Sequence, residues 1–304
     1  MTAYLTRRIL QAVGVVLLVT LIVFGLLRLA PGGTPAAVLG TGSAHQEFLL
    51  QYLSWLGRVL RGDLGYSRVR NESVTYLLAA SMPRTVALMG ISTLLALIVA
   101  IPLGLIHATL RGRAVDHLLG GVTYVFYSTP TFVLGALLVL FFAVDKHIFG
   151  AEGPQAPGFI GVVTDVRDLT LPVLTLTLVT IATFARYMRS AALDTLAQEY
   201  VEAARARGAG QRRVVSAHVL RNSLVPVVTL VGLSLPQIVG GAVVVESLFN
   251  IQGVGWQLWQ AVTNHDFAVT LGFTLVIGVA AALGSLLADV GYALLDPRVR
   301  YAHG

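Results

Sequence analysis

The chain has 304 residues, of which 56% are hydrophobic and 12% charged, against a charged share of about 25% in soluble domains. So apolar a composition excludes an ordinary soluble domain and implies an integral membrane protein. The net charge of +6 could advertise a nucleic-acid partner, but what it reports is decided by where the basic residues fall relative to the apolar runs, and most of them fall on one side.

Six runs lie at Ile9–Leu27, Thr85–Ile106, Leu118–Ala143, Leu169–Tyr187, Val227–Phe249 and Ala268–Leu287. Each has about the 20 apolar residues that a helix needs to cross hydrocarbon with every backbone polar group satisfied internally. The expected fold class is therefore an all-α integral membrane protein with six transmembrane helices. The first run follows Arg7 and Arg8 like a signal peptide, but it is longer than a signal-peptide core and no cleavage site follows. It is expected to be a retained span.

The expected division is an N-terminal span over residues 1–30, an extracytoplasmic loop over 31–84 and a five-helix core over 85–304. In the loop, QYLSWLGRVLRGDLGYS puts Leu49, Leu53, Leu56 and Leu60 at helical spacing, with Tyr52 and Trp55 beside them. This predicts a short amphipathic helix, read as a lid over apolar surface. Pro102, Pro130, Pro172 and Pro236 fall in spans, where kinks are expected. Ala280, Gly284 and Ala288 recur every fourth residue in the last span, a ridge that lets another helix approach closely.

Orientation follows from the arginines. Arg7 and Arg8, Arg111 and Arg113, the segment holding Arg186, Arg189, Arg205, Arg207, Arg212, Arg213 and Arg221, and Arg298 with Arg300 share one side. Asp145, Glu152, Asp165, Asp168 and Asp266 take the other. The positive-inside pattern puts both termini in the cytoplasm of a multi-pass, bacterial cytoplasmic-membrane protein. Arg58, Arg61, Arg68, Arg70 and Arg84 in the outer loop are the exception, the mid-loop ones lying beyond the range where charge controls orientation.

Catalytic signatures are missing. The sequence has no zinc helix of the His-Glu-x-x-His type, no Gly-x-Ser-x-Gly elbow and no cysteine, so neither catalytic nor metal residues are expected. A phosphate-binding loop needs Gly-Lys-Ser/Thr, but the single lysine, Lys146, lies in VDKHIF. Glu246, Asp289 and His107 lie near span ends, each within reach of an interface, which leaves little for ion coupling. Candidates to line a pathway are Tyr124, Tyr127, Ser128, Thr129, Thr175, Thr180, Thr183, Ser234, Gln237 and Glu246. Each of the neutral ones reads equally well as an interhelical hydrogen bond.

Between the fourth and fifth spans runs EYVEAARARGAGQRRVVSAHVLRN. Strong helix formers up to Ala206, then Gly208 and Gly210, then a renewed helical pattern predict helix, turn, helix. Composition leaves two readings open: a rigid cytoplasmic knob, or a basic loop held by anionic lipid. The run Glu202-Ala203-Ala204, followed after three residues by Gly208, resembles the EAA motif of the membrane subunits of ABC importers. Where that motif continues Ile-x-Leu-Pro, this chain has His218, Val219, Leu220 and Arg221; HVLRNSLVPVVT resembles the variant of the dipeptide, oligopeptide and nickel branch. YLTRRILQAV, QYLSWLGRVLRGDLGYS, ESLFNIQGVG and LLDPRVRY extend the resemblance to most of the chain, and they match the first permease of a dipeptide/oligopeptide pair. The segment after Pro31 is shorter than that pattern and lacks its Gly-Asp-Pro step.

The resemblance implies the permease subunit of an ATP-driven importer of type I fold, forming half of the pathway for di- or oligopeptides. The same architecture also serves nickel, glutathione, heme or other small solutes. The implied partners are a homologous second permease, two cytoplasmic ATPase subunits that bind ATP and Mg, an extracytoplasmic solute-binding protein and the lipid bilayer. Residues 188–222 would form the coupling segment, with Glu202, Ala203, Ala204, Arg205, Gly208, His218, Arg221 and Asn222 at the ATPase interface. Large side chains at Ala203 or Ala204 are expected to jam it. The rival classes are a self-sufficient carrier or channel, disfavoured by scarce intramembrane charge, and a membrane scaffold.

Overall fold

The computed structural model describes residues 2–29 and 48–295. The stretch after Pro31 and the end of LLDPRVRY lie outside the described residues. Among the described residues, five helices are long and apolar enough to cross a membrane, six if a strongly bent pair counts as one span. The elements run α1 (Thr2–Leu29), α2 (Phe48–Val59), a hairpin of β1 (Tyr66–Ser67) and β2 (Glu72–Ser73), then α3 (Val74–Thr109) and α4 (Ala114–Ser128). After them come α5 (Thr131–Leu138), which continues as a π-helix over Val139–Asp145, α6 (Gly158–Thr164), α7 (Val166–Leu196) and α8 (Glu199–Ala206). The chain closes with α9 (Gln211–Val214) and a π turn (Val215–Val219), α10 (Leu220–Gly240), α11 (Val243–Leu248), α12 (Val254–Thr263) and α13 (Phe267–Leu295).

Helix α3 starts well before the apolar run at Thr85 and is 36 residues long. At about 1.5 Å per residue it exceeds a ~30 Å hydrocarbon layer, so one end extends beyond the layer. The third expected span is not one continuous helix: α4 and α5 meet at 100°. The cause is Pro130, which has no N–H and drives Thr129 to φ −77°, ψ 124°, the extended backbone that precedes proline. Pro102, Pro172 and Pro236, by contrast, lie within the continuous helices α3, α7 and α10. The fifth expected span is also interrupted, after Gly240.

Two compact units divide the chain. In the first (residues 1–89, 152–169 and 235–283), Val74, Leu77, Val254, Ala261, Ala268, Val269 and Phe273 form a buried apolar cluster. Ser67 of the hairpin donates a hydrogen bond to Asp266. Helix α2 packs by its aromatic face: Tyr52 and Trp55 are buried with Phe24 and Leu271, and the Tyr52 hydroxyl lies 2.9 Å from Thr20 Oγ1. Of the leucine stripe read from the sequence, Leu56 packs against this cluster, whereas Leu49, Leu53 and Leu60 face away, exposed by 60%, 57% and 81%. The rings bury more area, and the Tyr52 hydroxyl finds partners on α1, so they win the interior and α2 is a lid held by aromatics.

In the second unit (residues 90–151, 170–234 and 284–304), Ala96, Ala100, Phe184 and Ala185 bury the α3–α7 contact. There a Cβ on Gly104 would lie 2.6 Å from Met188 Cβ. The ridge on α13 meets α10 of the same chain: a Cβ on Gly232 would lie 2.5 Å from Ala288 Cβ and 2.9 Å from Gly284 O. Gly232→Val is therefore expected to destabilise by about 1–3 kcal/mol, the usual cost of overpacking, whereas Gly278→Ala, facing open space, is expected to be neutral. Detergent-solubilised melting temperatures of the two variants check this.

Candidate functional site

Helix α8 carries Glu199 and Glu202 in its first turn and Arg205 in its last, an order that complements the helix dipole. Gly208 ends it at φ +83°. Its N–H donates to Arg205 O at 2.9 Å, and the next N–H, of Ala209, reaches back to Ala204 O at 3.1 Å. This is the glycine-terminated pattern that satisfies the last carbonyls and turns the chain sharply. A second helix then starts at Gln211, so the helix-turn-helix reading of the segment holds.

One face of α8 belongs to the chain itself. Val201 is buried in a cluster with Ala108, Ala192, Val214 and Val219, and Ala204, one turn on, is buried as well. Glu202, Ala203 and Arg205 point to the exposed face. Ala204, read from the sequence as a docking residue, is 4% exposed and faces inward, because it lies one helical turn from Val201, the large aliphatic residue of α8. His218 and Asn222 also turn back onto the segment: the His218 ring lies 6.4 Å from that of Tyr200, and Asn222 Nδ2 donates to the Tyr200 hydroxyl at 2.8 Å. Tyr200, not singled out in the sequence, thus ties α8 to α10. Arg221 is exposed.

The pathway candidates lie on several helices. Ser128 Oγ donates to Tyr124 O at 2.9 Å and Thr129 Oγ1 to Val125 O at 2.7 Å, so both hydroxyls serve the carbonyls at the Pro130 break. Tyr124 is exposed, and the Arg186 guanidinium sits 4.1 Å above the Tyr127 ring. Thr180 Oγ1 donates to Leu176 O at 2.7 Å and Ser234 Oγ to Val231 O at 2.7 Å. Thr175 and Thr183 likewise bond the carbonyl one turn back, the habitual arrangement of hydroxyls in helices. Gln237 is exposed.

Glu246 is a correction to the sequence reading. It is 0% exposed, so in this chain it neither reaches out to an interface nor lines an open route. Its Oε1 accepts from Thr85 Oγ1 at 2.8 Å and its Oε2 from the Trp256 N–H at 2.8 Å, while Thr85 Oγ1 accepts the Val254 N–H at 2.7 Å. Gly241 turns the chain at φ +80°, and any Cβ there would strike Glu246 Oε1. On Gly253 a Cβ would meet Thr85 Oγ1 and, at 2.5 Å, Glu246 Cδ. The carboxyl thus fastens the interrupted fifth span to α3 and to the start of α12, and the break at Gly240 exists to let it in. His107, also read as reaching an interface, is buried.

A mostly helical chain with five long apolar helices, a strongly bent apolar pair and a helix-turn-helix in the sequence between two of the long helices is of the multi-pass membrane-protein class. Residues 100–301 match the family described as binding-protein-dependent transport system inner membrane component, and the chain belongs to it: it is a permease subunit of an ABC importer. It is 33% identical over 316 residues to the oligopeptide transport system permease protein AppB of Bacillus subtilis, covering 99% of this chain and 100% of that protein. It is 32% identical over 315 residues to a protein of Sinorhizobium fredii named a probable peptide ABC transporter permease, covering 99% of this chain and 100% of that one. In fold it is similar to a chain of the methionine ABC transporter MetNI in inward-facing conformations, with a TM-score of 0.56 and 20% identity over 73% of this chain and 97% of that chain.

The clasp yields an ordering. Gly253→Ala, which forces a Cβ into the carboxyl, is expected to reduce the folded yield more than Thr85→Ser, which keeps the hydroxyl. Glu246→Leu, which leaves the Trp256 N–H buried without its acceptor, is expected to cost about 1–3 kcal/mol. Melting temperatures of the three purified variants test the order.

Proposed function

We propose that this permease forms half of a translocation pathway for short peptides and couples it to two cytoplasmic ATPase subunits through α8. Peptides are the solute class because the relatives matched along their whole length carry peptide or oligopeptide names. Nickel, glutathione, heme or another small solute is the alternative within the same architecture. On this reading the chain lies in the bacterial inner membrane with both termini cytoplasmic and pairs with a homologous second permease. It receives solute from an external binding protein and is itself non-catalytic, ATP and Mg residing in the ATPase partners. The first span, the outer loop to residue 84 and the five-helix remainder serve as peripheral helix, external cover and core.

The observation that carries the coupling role is the two-sidedness of α8. Val201 anchors it in an apolar cluster of its own chain and Ala204 is buried beside it, while Glu202, Ala203 and Arg205 are left exposed on a helix whose exit angle Gly208 fixes. A rigid knob of this kind passes the rigid-body motion of a partner to the helices beneath it. A basic loop held only by lipid charge needs no buried apolar seat.

The two alanines separate docking from folding. Ala203→Trp is expected to leave the melting temperature of the isolated chain nearly unchanged, as exposed substitutions generally do within about 0.5 kcal/mol, yet to reduce co-purification of the ATPase subunits. Ala204→Trp is expected to destabilise the chain itself by about 1–3 kcal/mol or more through overpacking. Equal co-purification of wild type and Ala203→Trp would contradict the coupling assignment.

A further inference from the structure

The seat of α8 is made of alanine and valine side chains with Leu105, Leu193 and Leu196 packed against them, and such apolar contacts are non-directional, so they fix the register of the helices beneath less sharply than a directional polar contact does. A second feature adjoins it. Ala108 of the seat follows His107 at the end of α3, and Ala192 follows Arg189 by one turn on α7. His107 and Arg189 converge on one carboxylate, Asp116 in the first turn of α4.

His107 Nε2 lies 2.7 Å from Asp116 Oδ1 and 2.9 Å from the Asp116 carbonyl oxygen. Arg189 Nη2 donates at 3.1 Å to Oδ1 and 3.3 Å to Oδ2, and its Nε donates at 3.3 Å to Oδ1. The Gly112 N–H donates to Oδ2 at 2.8 Å. Asp116 is 7% exposed. A buried carboxylate that takes donors from three directions has one good geometry, and removing it strands its partners. The arrangement therefore sets register more sharply than the apolar contacts do.

We infer that Asp116 is a positioning residue of the transport machinery: by clamping the ends of α3 and α7 through His107 and Arg189, it makes the seat of α8 one rigid piece, so that motion applied to the knob reaches both long helices together. This rests on the coupling role of α8. Without the clamp the knob still docks, but its displacement is absorbed by local movement at the seat, in the turns of α3 and α7 beyond the close contact of Gly104 with Met188.

The test uses the whole importer, this chain with the second permease, both ATPase subunits and the external binding protein as purified, in proteoliposomes. Co-purification of the ATPases, basal ATP hydrolysis and stimulation of hydrolysis by the binding protein are measured for Asp116→Asn, for Arg189→Lys, which keeps the charge but loses the forked contact, and for Ala203→Trp. The expected result for Asp116→Asn is normal co-purification and basal hydrolysis with stimulation reduced about fivefold or more, the scale of an ordinary allosteric coupling, and a smaller loss for Arg189→Lys. Full stimulation in Asp116→Asn overturns the inference. So does loss of co-purification in both clamp variants, which would mark the cluster as a requirement of folding alone. If Ala203→Trp behaves as wild type, the coupling role fails and the inference falls with it. If Ala203→Trp loses the ATPases while Asp116→Asn keeps full stimulation, only the inference fails.

Discussion

Backbone N–H and C=O groups cannot be left without partners in hydrocarbon, where each orphan costs several kcal/mol. That constraint makes long continuous helices the rule in this chain and makes every interruption require its own local solution. Just before Pro130 the hydroxyls of Ser128 and Thr129 add donors to the Tyr124 and Val125 carbonyls of the last turn. At Gly240 and Gly241 the solution is a buried carboxyl, with Glu246 accepting from Thr85 and from the Trp256 N–H. Polar residues in the spans therefore support irregular backbone first, and a residue inside such a network is poorly free to meet a solute.

The same constraint accounts for the glycines. Where two helices touch through Gly104 and Met188, or Gly232 and Ala288, the absence of a side chain lets backbones approach and dispersion act over a large area. Gly253 and Gly241 do the same work around the Glu246 carboxyl. These contacts join segments far apart in the chain.

Much of this was legible in the sequence because it depends on local pattern. The six apolar runs, the helix-turn-helix with Gly208 at its turn, and the ridge of Ala280, Gly284 and Ala288 were all readable from spacing. What escaped was set by contacts distant in the chain. Asp116 meets His107 from 9 residues away and Arg189 from 73, and neither distance leaves a periodic trace. The inward turn of Ala204 was recoverable: with Val201 the large aliphatic residue on a short polar helix, helical phase puts residues 201 and 204 on one face. The aromatic face of α2 was harder, because the leucine stripe obeyed the same periodicity and the choice between them depended on what α1 offered.

The central claim is that α8 meets a partner with the face carrying Ala203 while the face carrying Ala204 stays on its own chain. The absence of cysteine permits a direct measurement: single cysteines placed at position 203 or 204, labelled with a photoactivatable cross-linker and irradiated in the complex assembled with its ATPase subunits. The account predicts a cross-link to an ATPase subunit from position 203 and little labelling or cross-linking from position 204. Equal cross-linking from both positions, or none from 203 in an intact complex, would contradict it.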